Sequence, residues 1–290
     1  MSESPKIQLY VARKVSEKVN ATFDFVKENW RVWLRYSTYL LLPLAIVQGM
    51  GMNEMMNSLF DDLAEPGTVS IVATIVAAFI AMVMNCTLTL ALLRLYLDRD
   101  DRLRGVTGKD LLPLLKNYAP RLLGAVLVLL VVFSPLIAVA VLLAVLIPLV
   151  GWVGFFVLLP LALVPAIYLY ERQTLVNSVR RAFKLGFADW GRMVGLGLIM
   201  LLVYYVLTGC LTQPWAVCMA IKANLFDNSI SVETKLVINI AFYVLTILYS
   251  FAMYLASSFI ILAMTFHYGS VAADTEDASL DYEIENFEKL

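Results

Sequence analysis

The chain has 290 residues, 61% hydrophobic and 16% charged, with a formal net charge of −1 and a mean hydropathy of +0.79. A soluble globular chain is nearer half apolar and one quarter charged, so this composition excludes an ordinary water-soluble domain. Three cysteines, Cys86, Cys210 and Cys218, are too few for a disulfide framework. A bridge between Cys210 and Cys218 is one reading of them, and two buried thiols the favoured one.

The apolar residues fall in runs of membrane-crossing length, since about 20 residues at 1.5 Å rise span a bilayer core of about 30 Å. Residues 1–31 are polar and amphipathic, too long an opening for the charged leader of a cleavable signal peptide. The first span is therefore expected to be an uncleaved anchor, from about Val32 to Met52 with Pro43 inside. A second span, about Val69 to Leu97, follows the turn signal Pro66-Gly67. From Leu122 to Tyr170 there are 49 consecutive residues without a charge, which must fold back on themselves. Pro148 and Gly151 divide this run into a third span, about Leu122–Leu146, and a fourth, about Trp152–Tyr170. The fifth is expected from about Met193 to Thr212, stopped near Pro214, and the sixth from about Leu236 to Phe266.

Orientation follows from lysine and arginine in the connections. Residues 1–35 and 94–121 carry seven each and residues 171–192 carry five, while the opposite connections carry only Lys222 and Lys235. The predicted architecture is thus an all-α transmembrane bundle of six spans in the plasma (inner) membrane, with both termini cytoplasmic. Residues 1–31 form a cytoplasmic amphipathic helix, 32–272 the membrane domain, and 273–290 an acidic tail. Leu280, Ile284 and Phe287 in that tail fall at helical spacing, so it either docks on the basic segments or stays solvated.

The three basic segments share a pattern. Each ends in a polar residue, an aromatic and an arginine at the mouth of a span: Asn29-Trp30-Arg31, Asn117-Tyr118-Ala119-Pro120-Arg121 and Asp189-Trp190-Gly191-Arg192. The aromatics and arginines are predicted interface anchors. An amphipathic stretch precedes each anchor. In the first, Val11, Val15, Val19, Phe23, Val26 and Trp30 recur every three or four residues. The second has Leu111, Leu112, Leu115 and Tyr118, with Thr107 and Asp110 placed to cap its start. The third has Leu175, Val176, Val179, Phe183 and Trp190. The implied unit is a cytoplasmic interfacial helix followed by a transmembrane hairpin, repeated three times.

The stretch Ser178-Val179-Arg180-Arg181-Ala182-Phe183-Lys184-Leu185-Gly186, followed by Asp189-Trp190 and a span, resembles a recurring element of one bacterial membrane superfamily. That superfamily includes the membrane domain of some glycerophosphodiester phosphodiesterases and mostly uncharacterised stand-alone relatives. Phe25 to Leu44, with Lys27-Glu28-Asn29-Trp30 running into Leu40-Leu41-Leu42-Pro43-Leu44, is similar to its first unit. The resemblance implies a six-helix membrane architecture. It carries over no functional residue and, because the catalytic barrel of those enzymes is absent, it argues against phosphodiesterase activity.

No catalytic constellation emerges. The single histidine, His267, is expected to lie at the membrane interface beside Tyr268, and Ser257 and Ser258 stand more than two turns from it on the same helix. No Asp or Glu falls inside a predicted span, and P-loop, CxxC and HExxH motifs are absent. No cofactor, no metal and no nucleic-acid partner is expected. The intramembrane polar candidates are neutral: Asn85 and Asn239 first, then Thr87, Thr89 and Gln48. The favoured function is a non-enzymatic scaffold or accessory protein of the cell envelope. It would act through membrane lipids, anionic headgroups on the cytoplasmic side among them, or through a protein partner or second copy. The alternatives are a permease or channel for a small neutral or amphipathic solute and, more remotely, an interfacial lipid-modifying enzyme using Glu171 and Arg172 with Asp98 and Arg99.

Overall fold

A computed structural model describes residues 6–60, 67–142, 156, 158–224 and 232–276. They form seven helices: α1 (Val15–Phe60), α2 (Thr68–Asp98), α3 (Gly108–Leu142), α4 (Val164–Tyr170), α5 (Leu175–Ala188), α6 (Trp190–Asn224) and α7 (Val232–Glu276). No β-strand occurs among the described residues. The Pro148–Gly151 turn, the first residues of the fourth span, residues 61–66 between the first two spans and tail residues 277–290, Leu280, Ile284 and Phe287 included, lie outside them.

Four stretches are long and apolar enough to cross a membrane: Val69–Asp98, Gly108–Val132, Trp190–Lys222 and Glu233–Thr275; Leu158–Tyr170 is a shorter apolar stretch. Large apolar side chains stand exposed along them, with Val131 71%, Leu202 65% and Val237 65% accessible. Backbone closed into helices and apolar side chains turned outward are what a hydrocarbon surrounding demands. The region read as the first span, Val32–Met52, sits inside α1 and is not among the four, because Arg35, Tyr36, Ser37, Thr38 and Gln48 dilute it.

Three helices run further than their sequence suggests. Pro214 lies inside α6 instead of ending it; a proline in an apolar helix removes one ladder bond without forcing a turn. Cys210 and Cys218 therefore share one helix, eight residues and about 12 Å of rise apart, beyond disulfide reach. All three thiols are free, and Cys210 is exposed. Likewise α1 passes through residue 31 without a break, and α3 joins its amphipathic start to its apolar length. Only the third basic segment forms a separate helix, α5.

The packing divides the chain into two units, one of residues 1–30, 89–200 and 260–290, the other of 31–88 and 201–259. The inward stripe of α1 in the first unit is Lys18, Ala21, Thr22, Phe25, Val26 and Asn29, at the three-to-four spacing of one helical face. It differs from the apolar stripe read from sequence, of which Phe23 and Trp30 are exposed. The uncharged polar members of the buried stripe are satisfied locally: Thr22 Oγ1 donates to Lys18 O at 2.9 Å and Asn29 Nδ2 to Phe25 O at 2.8 Å.

Helix ends follow capping chemistry. The Lys14 amide donates to Glu17 Oε2 at 3.0 Å ahead of α1, and the Thr107 amide and hydroxyl both donate to Asp110 Oδ2 at 2.9 Å ahead of α3. Thr174 caps α5 by accepting from the Asn177 amide. The end of α4 is unusual: Arg172, just beyond the cap residue Glu171, has φ of 53°. This left-handed position after a helix ordinarily takes glycine, and a side chain there costs about 1 kcal/mol. The Arg172 side chain is exposed. Arg172→Gly is therefore expected to raise the thermal denaturation midpoint in mild detergent by about 2 °C, measured at a fixed scan rate.

Candidate functional site

The densest polar cluster in the first unit surrounds the end of α7. Thr265, Phe266, His267, Tyr268 and Ser270 are all 2% exposed or less. Consecutive burial of this kind means that the helix is enclosed on every side, since one packed face would hide only every third or fourth residue. Three groups of neighbours enclose it.

On one side stands Lys18 of α1, with a fully buried side chain. Its ammonium lies 3.0 Å from His267 Nδ1 and 3.7 Å from Asp189 Oδ2. Asp189 connects α5 to α6, and its Oδ1 takes a 2.6 Å bond from Arg192 Nε. Arg192 also reaches Asp274 at 4.0 Å. A charged Lys18 has only hydrogens to give, so His267 Nδ1 must accept and the ring proton must sit on Nε2. Nε2 is buried without a hydrogen-bond partner. Burial pushes the Lys18 ammonium below its ordinary pKa, and the Asp189 carboxylate opposes that push.

On a second side the Tyr268 hydroxyl donates to Glu171 Oε1 at 2.5 Å and lies 3.1 Å from the Tyr10 hydroxyl. Glu171 also holds Arg181 Nε of α5 at 2.8 Å and accepts from Gln173 Nε2 at 2.9 Å. Burial raises the pKa of Tyr10 above its ordinary value. On the third side the non-helical segment before α1 crosses α7 at Gly269. A Cβ there would sit 2.4 Å from Leu9 O, so only glycine admits this backbone. The Arg13 amide donates to Ser270 Oγ at 3.0 Å, and the Arg13 guanidinium lies 5.7 Å from the Phe266 ring centre.

The same N-terminal segment closes the end of α2. Lys6 Nζ donates to Leu97 O at 2.8 Å and Arg99 O at 3.1 Å, a cation on the carbonyl end of a helix. The Ile7 amide donates to the Tyr96 hydroxyl at 3.2 Å, which in turn donates to Glu28 Oε2 at 3.1 Å. Glu28 also pairs with Arg102, whose φ is 60°.

His267 is buried inside the unit against a lysine 249 positions away. Neither pair considered for lipid chemistry forms. Glu171 is committed to Tyr268, Arg181 and Gln173, while Arg172 is the left-handed residue ending α4. Asp98 pairs with Arg94 at 2.8 Å and Arg99 with Asp110 at 3.3 Å. Among the anchors, Trp30 and Arg31 are exposed, and Arg192 is half-exposed and bonded to Asp189. Trp190 stacks on Phe187 and Phe156 at centroid distances of 5.4 and 5.0 Å. Tyr118 turns inward and is buried; Arg121 lies 4.7 Å over the Tyr168 ring. The three motifs are thus not equivalent in surroundings.

In the second unit Asn85 has no bonding capacity to spare on its amide nitrogen. Its Nδ2 donates to Tyr254 O and Ser257 Oγ, both at 2.9 Å, and its Oδ1 accepts from Ser258 at 2.9 Å. Asn239 Oδ1 is buried without a hydrogen-bond partner. Lys222, counted from sequence as a loop cation, is buried: its ammonium donates to Asn53 Oδ1 at 2.7 Å and lies 4.6 Å from the Phe242 ring centre. A buried cation needs such partners.

Among the described residues no group of three or more His, Cys, Asp or Glu could hold a metal. Sequence reading missed Lys18, Tyr10, Glu28 and Asp189 as partners, since each pairing is long-range. No local signal set Lys18 apart, because it stands in a charged stretch with Arg13, Lys14, Glu17 and Asp24. No family model, curated protein or solved structure matches the chain.

The arrangement performs a structural task. Lys18, Arg181 and Arg192 balance Glu171, Asp189 and Asp274, so the cluster is neutral with His267 uncharged. Asp189→Asn is expected to lower stability by about 3 kcal/mol by leaving the Lys18 ammonium uncompensated. Lys18→Met in the same chain should restore more than half of the loss, as read by denaturation midpoints of the four variants of the cycle. The variant's deficit should also shrink at alkaline pH. The folded pKa of Lys18 lies below the ordinary 10.5, so the unfolded chain binds more proton in that window and stability rises with pH through it. Separately, Gly269→Ala should expel the N-terminal segment, seen as faster tryptic cleavage at Lys6, Arg13 and Lys14.

Proposed function

We propose that this chain is a non-enzymatic, six-span inner-membrane protein, with both termini cytoplasmic, serving as a scaffold or accessory component of a cell-envelope process. The observation that carries the reading is that both N–H groups of Asn85 are spent within the protein. The most deeply placed polar side chain spends both N–H groups and its carbonyl on α7, which leaves no donor for a solute. The charged groups gather instead in the segments assigned to the cytoplasmic side, where they hold helices together and present basic surface. Such surface suits protein or lipid partners better than turnover.

Membership of the superfamily that includes the membrane domain of glycerophosphodiester phosphodiesterases is part of the same proposal. It rests on the stretches 25–44 and 178–190. The α5 helix gives the second stretch a self-contained form, with Thr174 at its start and Asp189 at its end.

A permease is the second reading, favoured by Asn239, whose buried carbonyl lacks a donor. It requires flux of a small neutral solute into proteoliposomes that Asn239→Leu abolishes.

The scaffold reading is tested by extracting the protein into discs of native membrane and identifying every protein retained by mass spectrometry. A specific partner at fixed stoichiometry is the expected result; a bare chain together with solute flux would overturn it. Topology is tested with an impermeant maleimide on intact cells in a background lacking the native cysteines. A cysteine introduced at Ala188 is expected to be labelled only after the membrane is opened.

A further inference from the structure

Hydroxyls on these helices commonly turn back on their own backbone. Thr22, Thr38, Thr87 and Thr246 each donate to the carbonyl four residues earlier, at 2.7 to 2.9 Å. Ser37 on α1 does not. It is fully buried, yet its Oγ has no hydrogen-bond partner among the described residues. One turn earlier on the same face stands Trp33, 7% exposed, whose Nε1 is also buried without a partner. Among the described residues no other two such atoms lie one turn apart on one helix. A buried donor left unmet is costly, so two of them side by side mark the place of a further molecule.

The chemistry of the two groups narrows what that molecule is. An indole nitrogen can only donate, whereas a hydroxyl both donates and accepts. The ligand must therefore accept from Trp33 and share a hydrogen with Ser37. Two hydrogen bonds in series span about 5.5 Å, close to the spacing of about 5–6 Å between side chains one turn apart on a helix. Apolar groups close the seat. The Phe259 ring meets the Trp33 ring at 90° with centroids 6.0 Å apart, and Leu41, the next residue of the face, is fully buried. A seat so enclosed excludes a solute of many atoms and leaves the smallest hydrogen-bonding molecule. Two polar partners suffice to hold a water. Both residues lie in the part of α1 read as the first span, where polar groups must be satisfied from within the protein.

We propose that Trp33 and Ser37 hold one sealed water molecule, which accepts from Trp33 Nε1 and donates to Ser37 Oγ. The water is a fixed part of the packing between α1 and α7 beside Phe259, within the second unit. The site rests on burial and hydrogen-bonding capacity, and depends neither on the scaffold role nor on the sidedness of the protein.

The test is X-ray hydroxyl-radical footprinting of the full chain in mild detergent. A bound water yields radicals beside buried side chains that bulk solvent does not reach. Trp33 should be oxidised in the parent, and Ser37→Ala should remove most of that oxidation. Thr38→Ala, which deletes a hydroxyl already satisfied by the Leu34 carbonyl, should leave it unchanged. An unoxidised Trp33 in the parent, or equal oxidation in Ser37→Ala, would overturn the site. Rapid mixing with heavy-oxygen water separates a sealed molecule from an opening to solvent. Slow arrival of the label at Trp33 is expected, and arrival within the mixing time would reject the sealed water. Denaturation midpoints give a second readout. Trp33→Phe and Ser37→Ala each expel the same water, so the double variant should lose clearly less than the two single losses together. Fully additive losses would show two independent groups and overturn the shared ligand.

Discussion

A lysine ammonium with no solvent exposure must be neutralised where it sits, and the first unit is organised around doing so. Lys18 could not remain charged in this position without Asp189 at 3.7 Å and the lone pair of His267 Nδ1 at 3.0 Å. Those two partners come from the α5–α6 junction and from α7, so a single buried charge ties three elements together. The rest of the cluster repeats the device with Tyr268, Glu171 and Arg181. Replacing one partner therefore costs more than the pair contributes, because the other is left buried and alone.

The N-terminal segment gains its order from the same hub. Its backbone fits only because residue 269 lacks a side chain, and its amides and ammonium find fixed acceptors on Ser270, Tyr96 and the final carbonyls of α2. A non-helical stretch without these contacts would be loose. With them it forms a strap between two helices of the unit.

Hydropathy made the long helices legible, because hydrocarbon tolerates little else over 20 residues. The cap at Thr107 and Asp110 was legible for a similar reason: the capping requirement is local. The inward face of α1 was not legible. Its buried stripe includes Lys18, Thr22, Asn29 and, further along, Ser37, so counting apolar residues selects the neighbouring stripe of valines. The continuity of α1 and α3 was hidden too, because charge and aromatic anchors mark where a membrane surface falls and not where a helix ends. The partners of His267 and Glu28 are set by tertiary packing, at separations of 249 and 74 residues. A sequence shows the presence of such groups but not their pairing. The outward stripe of α5 became visible once Gly186 against Pro160 fixed the rotation of the helix.

The central claim is that α7 anchors the N-terminal strap through a buried polar hub. Hydrogen–deuterium exchange on the full-length protein in lipid discs tests it most directly, followed on peptides covering residues 6–14 and 264–271. If the hub is as described, Ile7, Val11 and Arg13 amides exchange far more slowly than an unstructured segment would, and Asp189→Asn accelerates them together with the end of α7. Exchange of residues 6–14 at the rate of a free peptide, with 264–271 protected and indifferent to Asp189, would contradict the account.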